Sequence, residues 1–198
     1  MFDDLKSALR PAMVLTALFA VLLGLAYPAA VTALAQMIAP AQANGSLIVA
    51  DGRVIGSSLI GQSFTGPQWF HGRPSAAGKG YDATASAGSN LGPASQVLAD
   101  RVAGDVAAAK LSPGVPVPPD LVTTSASGLD PHISPEAALV QIDRIAQARG
   151  LPVPALRELV EQSTEGPWLG LLGERRVNVL ALNLALDRLA KQRSPAGA

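Results

Sequence analysis

The strongest pattern along the chain lies at its start. No charged residue falls between Arg10 and Asp51, and inside that window Met13 to Tyr27 reads MVLTALFAVLLGLAY, with a milder apolar stretch continuing to Ile38. A membrane-spanning helix needs about 20 apolar residues. Residues 12–34 supply them, so a transmembrane helix is expected there, behind a short N-terminal segment of residues 1–11. Pro11 suits the first turn of such a helix, where its missing N–H costs nothing. Pro28 falls near the far end and is expected to kink or end the helix.

Beyond the span the pattern turns mixed. Residues 35–45, with Ala39 to Asn44 at their centre, read as a juxtamembrane linker. Ser46 to Ala50 and Arg53 to Ile55 are β-rich runs around Asp51-Gly52, a pair that favours a tight type I′ hairpin. Residues 63–92 are rich in Gly, Ser, Ala and Pro and read as a long loop, a length that marks either function or disorder. A helix is expected from about Pro93 to Leu111, with Leu98, Val102, Val106 and Ala109 on one face. The proline-rich Ser112 to Pro119 is a stiff connector, and Asp120 to Thr124 has the makings of a short strand. Ser134-Pro135-Glu136 combines a capping hydroxyl, a first-turn proline and an acid at the positive helix end. The helix it opens carries Leu139, Ile142, Ile145 and Ala146 inward and stops at Gly150. Further helices are expected over Pro154–Gln162 and Asn178–Lys191, the last with Val179, Leu182, Leu186 and Leu189 as its stripe. A hairpin, a strand and several helices make an α+β domain over residues 46–193, followed by a disordered tail of residues 194–198.

Composition narrows the function. The 198 residues carry 15 Lys+Arg and 15 Asp+Glu, a net charge of zero, and no cysteine. The balance lacks the basic face that nucleic-acid binding requires, and the missing thiols exclude disulfides, thiolate catalysis and cysteine-ligated zinc. Lys6 and Arg10 precede the apolar segment and the next basic residue is Arg53, so the positive-inside rule keeps the N-terminus in the cytoplasm and puts the domain outside it. The segment also reads as a cleavable signal peptide, with Ala33-Leu34-Ala35 as an A-x-A site before Gln36. In favour of a permanent anchor, Ala12, Thr16, Ala20, Gly24 and Pro28 recur every four residues, and small residues at that spacing let helices approach closely in lipid. An Ala-rich chain also produces such stripes by chance.

Candidate chemistry is sparse. Gly72 to Lys79 resembles a phosphate-binding P-loop, but five residues separate its glycines instead of four, and Gly80 replaces the magnesium-binding hydroxyl. Ser127, Asp130 and His132 are triad residue types, yet triads converge from separate elements rather than from six consecutive residues. His71, His132 and Asp130 are too few for a closed metal site. No P-type phosphorylation loop is present. Thr123 to Ser134, TTSASGLDPHIS, is a polar, turn-forming loop leading into a capped helix. Its Ser127, Gly128, Leu129, Asp130, Pro131, His132 and Ser134 are candidates for a subunit interface or for a structural loop whose hydroxyls satisfy backbone groups.

Several of these stretches carry a family resemblance. QANGSLI at Gln42–Ile48, LIGQ at Leu59–Gln62 with Phe64, FHGRPSA at Phe70–Ala76, GSNL at Gly88–Leu91, Leu121–Ser134, and VNVLALNLALDRL at Val177–Leu189 resemble the C subunit of the Kdp potassium-transporting ATPase, in family order. Ala87, where the family has glycine, and Asp82, where it has asparagine, depart from the pattern within the long loop. The resemblance implies a retained anchor in the bacterial inner membrane and a role in assembly and coupling, or as an extracytoplasmic cap near the potassium entrance. It implies three partners: a channel-like potassium-binding subunit, a P-type ATPase catalytic subunit and a very small membrane subunit. This chain would be no enzyme and bind no cofactor, with ATP, Mg and K+ bound on the partner subunits. A proposed effect on nucleotide affinity conflicts with an outside domain, which cannot touch cytoplasmic ATP. A secreted or anchored extracytoplasmic binding protein, and an anchored hydrolase, are the competing readings.

The anchor reading predicts an uncleaved chain. Intact-mass measurement of the membrane-purified protein should give the full sequence; a mature chain beginning at Gln36 would contradict it.

Overall fold

The computed structural model describes residues 2–50, 52–109, 111, 114–167 and 169–193. Asp51, Ser112, Pro113 and the expected tail 194–198 lie outside them. The chain divides into two units, Met1–Val54 and Ile55–Ala198, with the division inside a strand.

The first unit is dominated by one long helix. Helix α1 (Phe2–Val21) passes through a π-helical turn (Leu22–Ala26) into α2 (Tyr27–Ile38). Residues Lys6–Ile38 are long and apolar enough to cross a membrane, and none of that stretch is buried against protein. Pro28 does not end the helix. Its missing N–H and its ring clash with the carbonyl four residues back, at Gly24, are absorbed by the wider turn, in which the Tyr27 N–H reaches back five residues to the Leu22 carbonyl. The expected linker is also partly helical. Ala39 breaks the helix, and α3 (Pro40–Ala43) follows. The elbow is clamped by reciprocal 3.1 Å hydrogen bonds between the amides of Gln36 and Asn44. Strands β1 (Leu47–Ala50) and β2 (Arg53–Ser57) then pair as a two-stranded sheet, with Gly52 at φ 75° in the turn.

The second unit is the mixed domain. A three-stranded antiparallel sheet runs in the order β3 (His132–Ile133), β5 (Arg176–Asn178), β4 (Thr164–Glu165). Register pairs Ile133 and Thr164 with Val177. These strands are two or three residues long, too short for alternation to show in the sequence. Helices α5 (Pro135–Leu139), α6 (Ile142–Arg149), α7 (Val153–Gln162) and α8 (Val179–Arg193) pack with the sheet around one core. Its largest fully buried side chains include Phe70, Ile133, Ile142, Ile145, Leu156, Val160, Val177, Leu182 and Leu186.

Local signals acted largely as expected. Ser134 Oγ accepts the Ala137 N–H and Pro135 opens α5. Gly150 closes α6 in the left-handed region at φ 65°. Asn178 Oδ1 accepts the Ala181 N–H and so caps α8. Two of these expectations fail. The helix over 135–149 is broken at Val140–Gln141, where the Gln141 N–H tightens to the Ala138 carbonyl three residues back. Asp120–Thr124 forms a 3-10 turn (Pro119–Leu121) instead of a strand, because Pro118 and Pro119 have no ladder donors and Asp120 Oδ2 takes the Ser134 N–H at 2.7 Å. Helix α4 (Gln96–Ala109) forms within the expected span; Leu98, Val102 and Ala109 are half-buried and Val106 is exposed.

The core places an expectation on α8. Leu186→Ala should cost about 2–5 kcal/mol, whereas exposed Glu161→Ala should stay within about 0.5 kcal/mol of the parent; denaturant unfolding of the purified chain in detergent checks both.

Candidate functional site

The candidate residues sit where the long loop of residues 63–92 meets the ribbon Ser125–Ser134. The loop has no helix or strand, yet Phe70 and Ala77 within it are fully buried. Its backbone polar groups are satisfied by side chains from the helices. The buried Asn183 amide accepts the Phe70 N–H and donates to the Phe70 carbonyl, both at 2.9 Å. Gln141 does the same for His71, at 2.8 and 3.1 Å. Arg144 donates to the carbonyls of Gly66 and Pro67. Arg149 binds the Gln68 carbonyl and Asp187, and lies 4.3 Å over the Trp69 ring.

The ribbon is stitched to the loop in turn. Ser127 Oγ accepts the Leu129 N–H, and its carbonyl accepts from the Ala87 N–H and Ser86 Oγ. Gly128 sits at φ 66° with its carbonyl taken by Ser75 Oγ at 2.6 Å. A Cβ there would lie 2.7 Å from backbone atoms of Ala77 and Ala87, so only glycine fits. The Leu129 carbonyl accepts from Gly61 N–H, and the Pro131 carbonyl from Val179 N–H. Asp130 Oδ2 pairs with Arg73 at 3.1 Å; its Oδ1 accepts the His132 N–H at 3.0 Å and lies 3.5 Å from His132 Nδ1. Arg73 also donates to the carbonyls of Thr123 and Thr124.

These positions decide what the candidates can do. Asp130 and His132 are adjacent, but Ser127 is committed to its own turn, so the three form no relay. His71 is held apart from both, its Nε2 2.7 Å from the Gly66 carbonyl, and no group of three His, Cys, Asp or Glu side chains gathers among the described residues. No strand leads directly into Gly72–Lys79 and no helix follows directly. Burial pushes the His71 imidazole below its ordinary value, helped by the Arg144 charge and opposed by the Gly66 bond. Partial burial pushes Asp130 up, but the His132 hydrogen bonds and the Arg73 charge together hold it below the usual carboxylate range. Its contribution to stability is therefore present above the unfolded carboxylate value and is lost on acidification through the lower folded one. Arg73, Asp130, His132 and Ser134 open on a groove of about 940 Å³. Ala12, Thr16, Ala20 and Gly24 lie exposed along the long helix. Sequence reasoning missed Arg73, Tyr81, Gln141, Asn178 and Asn183. The asparagines had a signal, since both interrupt the apolar run VNVLALNLAL.

The sequence matches the family model described as "K+-transporting ATPase, c chain" over residues 9–188. The chain belongs to the KdpC family. Curated relatives named potassium-transporting ATPase KdpC subunit include that of Methylorubrum populi, 58% identical over 197 residues covering 93% of this chain and 98% of the relative. The Polaromonas naphthalenivorans subunit is 58% identical over 195 residues, covering 96% of this chain and all of the relative. That of Caulobacter vibrioides is 58% identical over 183 residues, covering 91% and 93%. Of the family-like stretches, Leu59–Gln62, Phe70–Ala76, Leu121–Ser134 and Val177–Leu189 contribute bonds to the junction, and the two departures sit on its rim. Asp82 caps a turn by accepting the Thr84 N–H and hydroxyl, and Ala87 pairs with Ser127.

Tyr81 ties the junction to pH. Its hydroxyl donates to the Arg73 carbonyl at 2.6 Å. Burial, with the Asp130 charge adding and Arg73 opposing, pushes its phenol up to about 12. The folded value exceeds the unfolded value of about 10, so the stability Tyr81 confers is complete below pH ~10 and lost as pH rises through ~12. Unfolding free energy measured across that window should fall in the parent and fall less in Tyr81→Phe.

Proposed function

We propose that this chain is a single-pass, non-catalytic accessory subunit of an ATP-driven potassium uptake complex in the bacterial inner membrane. Its N-terminus lies in the cytoplasm and its domain outside. The observation that carries the reading is the family match over residues 9–188, with relatives of the same length named as subunits of a potassium-transporting ATPase. The Lys6 and Arg10 flank supports the orientation. ATP hydrolysis, Mg and K+ binding fall to partner chains: the P-type catalytic subunit, the channel-like subunit, and a very small membrane subunit beside them. This chain contributes assembly and coupling.

Two surfaces serve that role in this reading. The ribbon Ser127–Ser134 is architectural. Its carbonyls are tied back to the loop and to α8, which fixes the Arg73–Asp130–His132 edge at the groove where a partner would meet it. The stripe Ala12, Thr16, Ala20 and Gly24 packs on a partner helix. A four-residue step overshoots one α-helical turn of 3.6 residues, and the wider π turn at Leu22–Ala26 reduces that drift, which keeps Gly24 closer to the line of Ala20. Lipid offers no hydrophobic drive for helix association, so close fit carries it.

The test is co-purification of the other pump subunits from mild detergent at matched membrane levels. Gly24→Leu should lose its partners while still reaching the membrane, and Leu25→Ala should retain them. Equal recovery of partners with Gly24→Leu would move the docking surface to the domain. Failure of the parent chain to bring down any transport subunit would refute the reading itself.

A further inference from the structure

Between β4 and β5 the chain makes a turn whose sequence, Pro167 to Leu172, reads PWLGLL. It contains no charged side chain. Leu169, Leu171 and Leu172 are 74%, 85% and 62% exposed, the densest display of large apolar side chains among the described residues of the domain. The turn is conformationally defined: the Gly170 N–H bonds the Pro167 carbonyl at 3.0 Å, and Leu169, Gly170 and Gly173 all have positive φ. A leucine in the left-handed region is disfavoured, so the backbone holds these side chains outward at a conformational cost. Exposed apolar side chains grouped in this way mark a contact surface.

We propose that this tip docks in the membrane, its leucines entering the interfacial region of the bilayer to which the chain is anchored. The inference rests on the anchored reading above. Residues 39–54 are all that separate the apolar helix from the domain, and a domain of this size has a radius of gyration of about 14 Å. The tether thus keeps the domain close to lipid, and the chemistry of the tip selects which face meets it. Size argues for lipid over protein. Three leucines at a convex turn present a few hundred Å², well short of the ~800 Å² per partner of a stable protein interface, whereas interfacial binding scales with whatever apolar area is buried. The rim fits as well. Glu165 is paired with Arg176 at 3.0 Å, and Glu174 and Arg175 follow the tip, so its charges sum to zero. Docking is driven by apolar burial and needs no anionic lipid.

The chain has no native cysteine, so Leu171→Cys accepts a single polarity-sensitive fluorophore. The full chain is reconstituted alone in phosphatidylcholine nanodiscs, with and without lipids bearing a quencher near the glycerol; co-elution with discs reads anchor insertion separately. The probe at 171 should be blue-shifted and lipid-quenched, while one at exposed Lys79→Cys stays water-like. Adding Leu172→Ser should shift the docked equilibrium toward water about tenfold, and salt or anionic lipid should change little. A water-like, unquenched probe at 171 in discs that carry the chain would overturn the proposal and leave the anchored reading standing. Shielding that appears only with partner subunits, without lipid quenching, would overturn it in favour of a protein contact. A chain that never enters the discs would refute both.

Discussion

Asn183 and Gln141 each hold one residue of the long loop by both backbone groups, Phe70 and His71 respectively. Thirty residues rich in Gly, Ser, Ala and Pro cannot satisfy their own backbone by helix or ladder. A buried N–H or carbonyl left without a partner costs about 1–3 kcal/mol. The two amides substitute for a missing strand at the point where the loop enters the core. They allow Phe70 to be fully buried beside the α8 side chains, and they set where the following residues run. Arg73 then reaches Asp130, Ser75 reaches Gly128, and Tyr81 closes over the Arg73 carbonyl.

This arrangement explains why a domain with such short strands holds together. The sheet contributes few ladder bonds, and the helices α5 to α8 supply the apolar core. The rest of the cohesion comes from helix side chains reaching into loop backbone: Gln141, Arg144, Arg149, Asn178 and Asn183. It also explains the break between α5 and α6. A continuous helix would keep the Gln141 backbone on an i−4 bond; the tighter turn seen instead accompanies a side chain that bonds both His71 and its own Ala137 carbonyl.

The same economy bears on function in a KdpC-family subunit. The backbone of the Ser127–Ser134 ribbon is spent on the loop and on α8, so what it leaves exposed is mainly side chains. Asp130 is the exception that faces both ways, tied to Arg73 inside the junction and to His132 at the groove. The β4–β5 tip is the opposite case. Its leucines stay largely exposed among the described residues, with Leu169 held at positive φ.

Much was legible in the sequence because it rests on local chemistry. A charge-free run of adequate length marked the apolar helix. Ser134-Pro135 fixed a helix start and Gly150 a helix stop, and the stripe Val179, Leu182, Leu186 named the core face of α8. The α+β class followed from that order of elements, and the quoted stretches from Gln42 to Leu189 carried the family. What the sequence left open depends on residues far apart in the chain. Strands of two or three residues exist only because Val177 finds both Ile133 and Thr164. Pro28 continues a helix because the preceding turn widens. Asn183 and Gln141 read as stray polar residues on apolar faces until Phe70 and His71, 113 and 70 residues away respectively, are brought against them. Hydrogen-bond partners at that separation leave no periodic trace, and only the packed chain decides them.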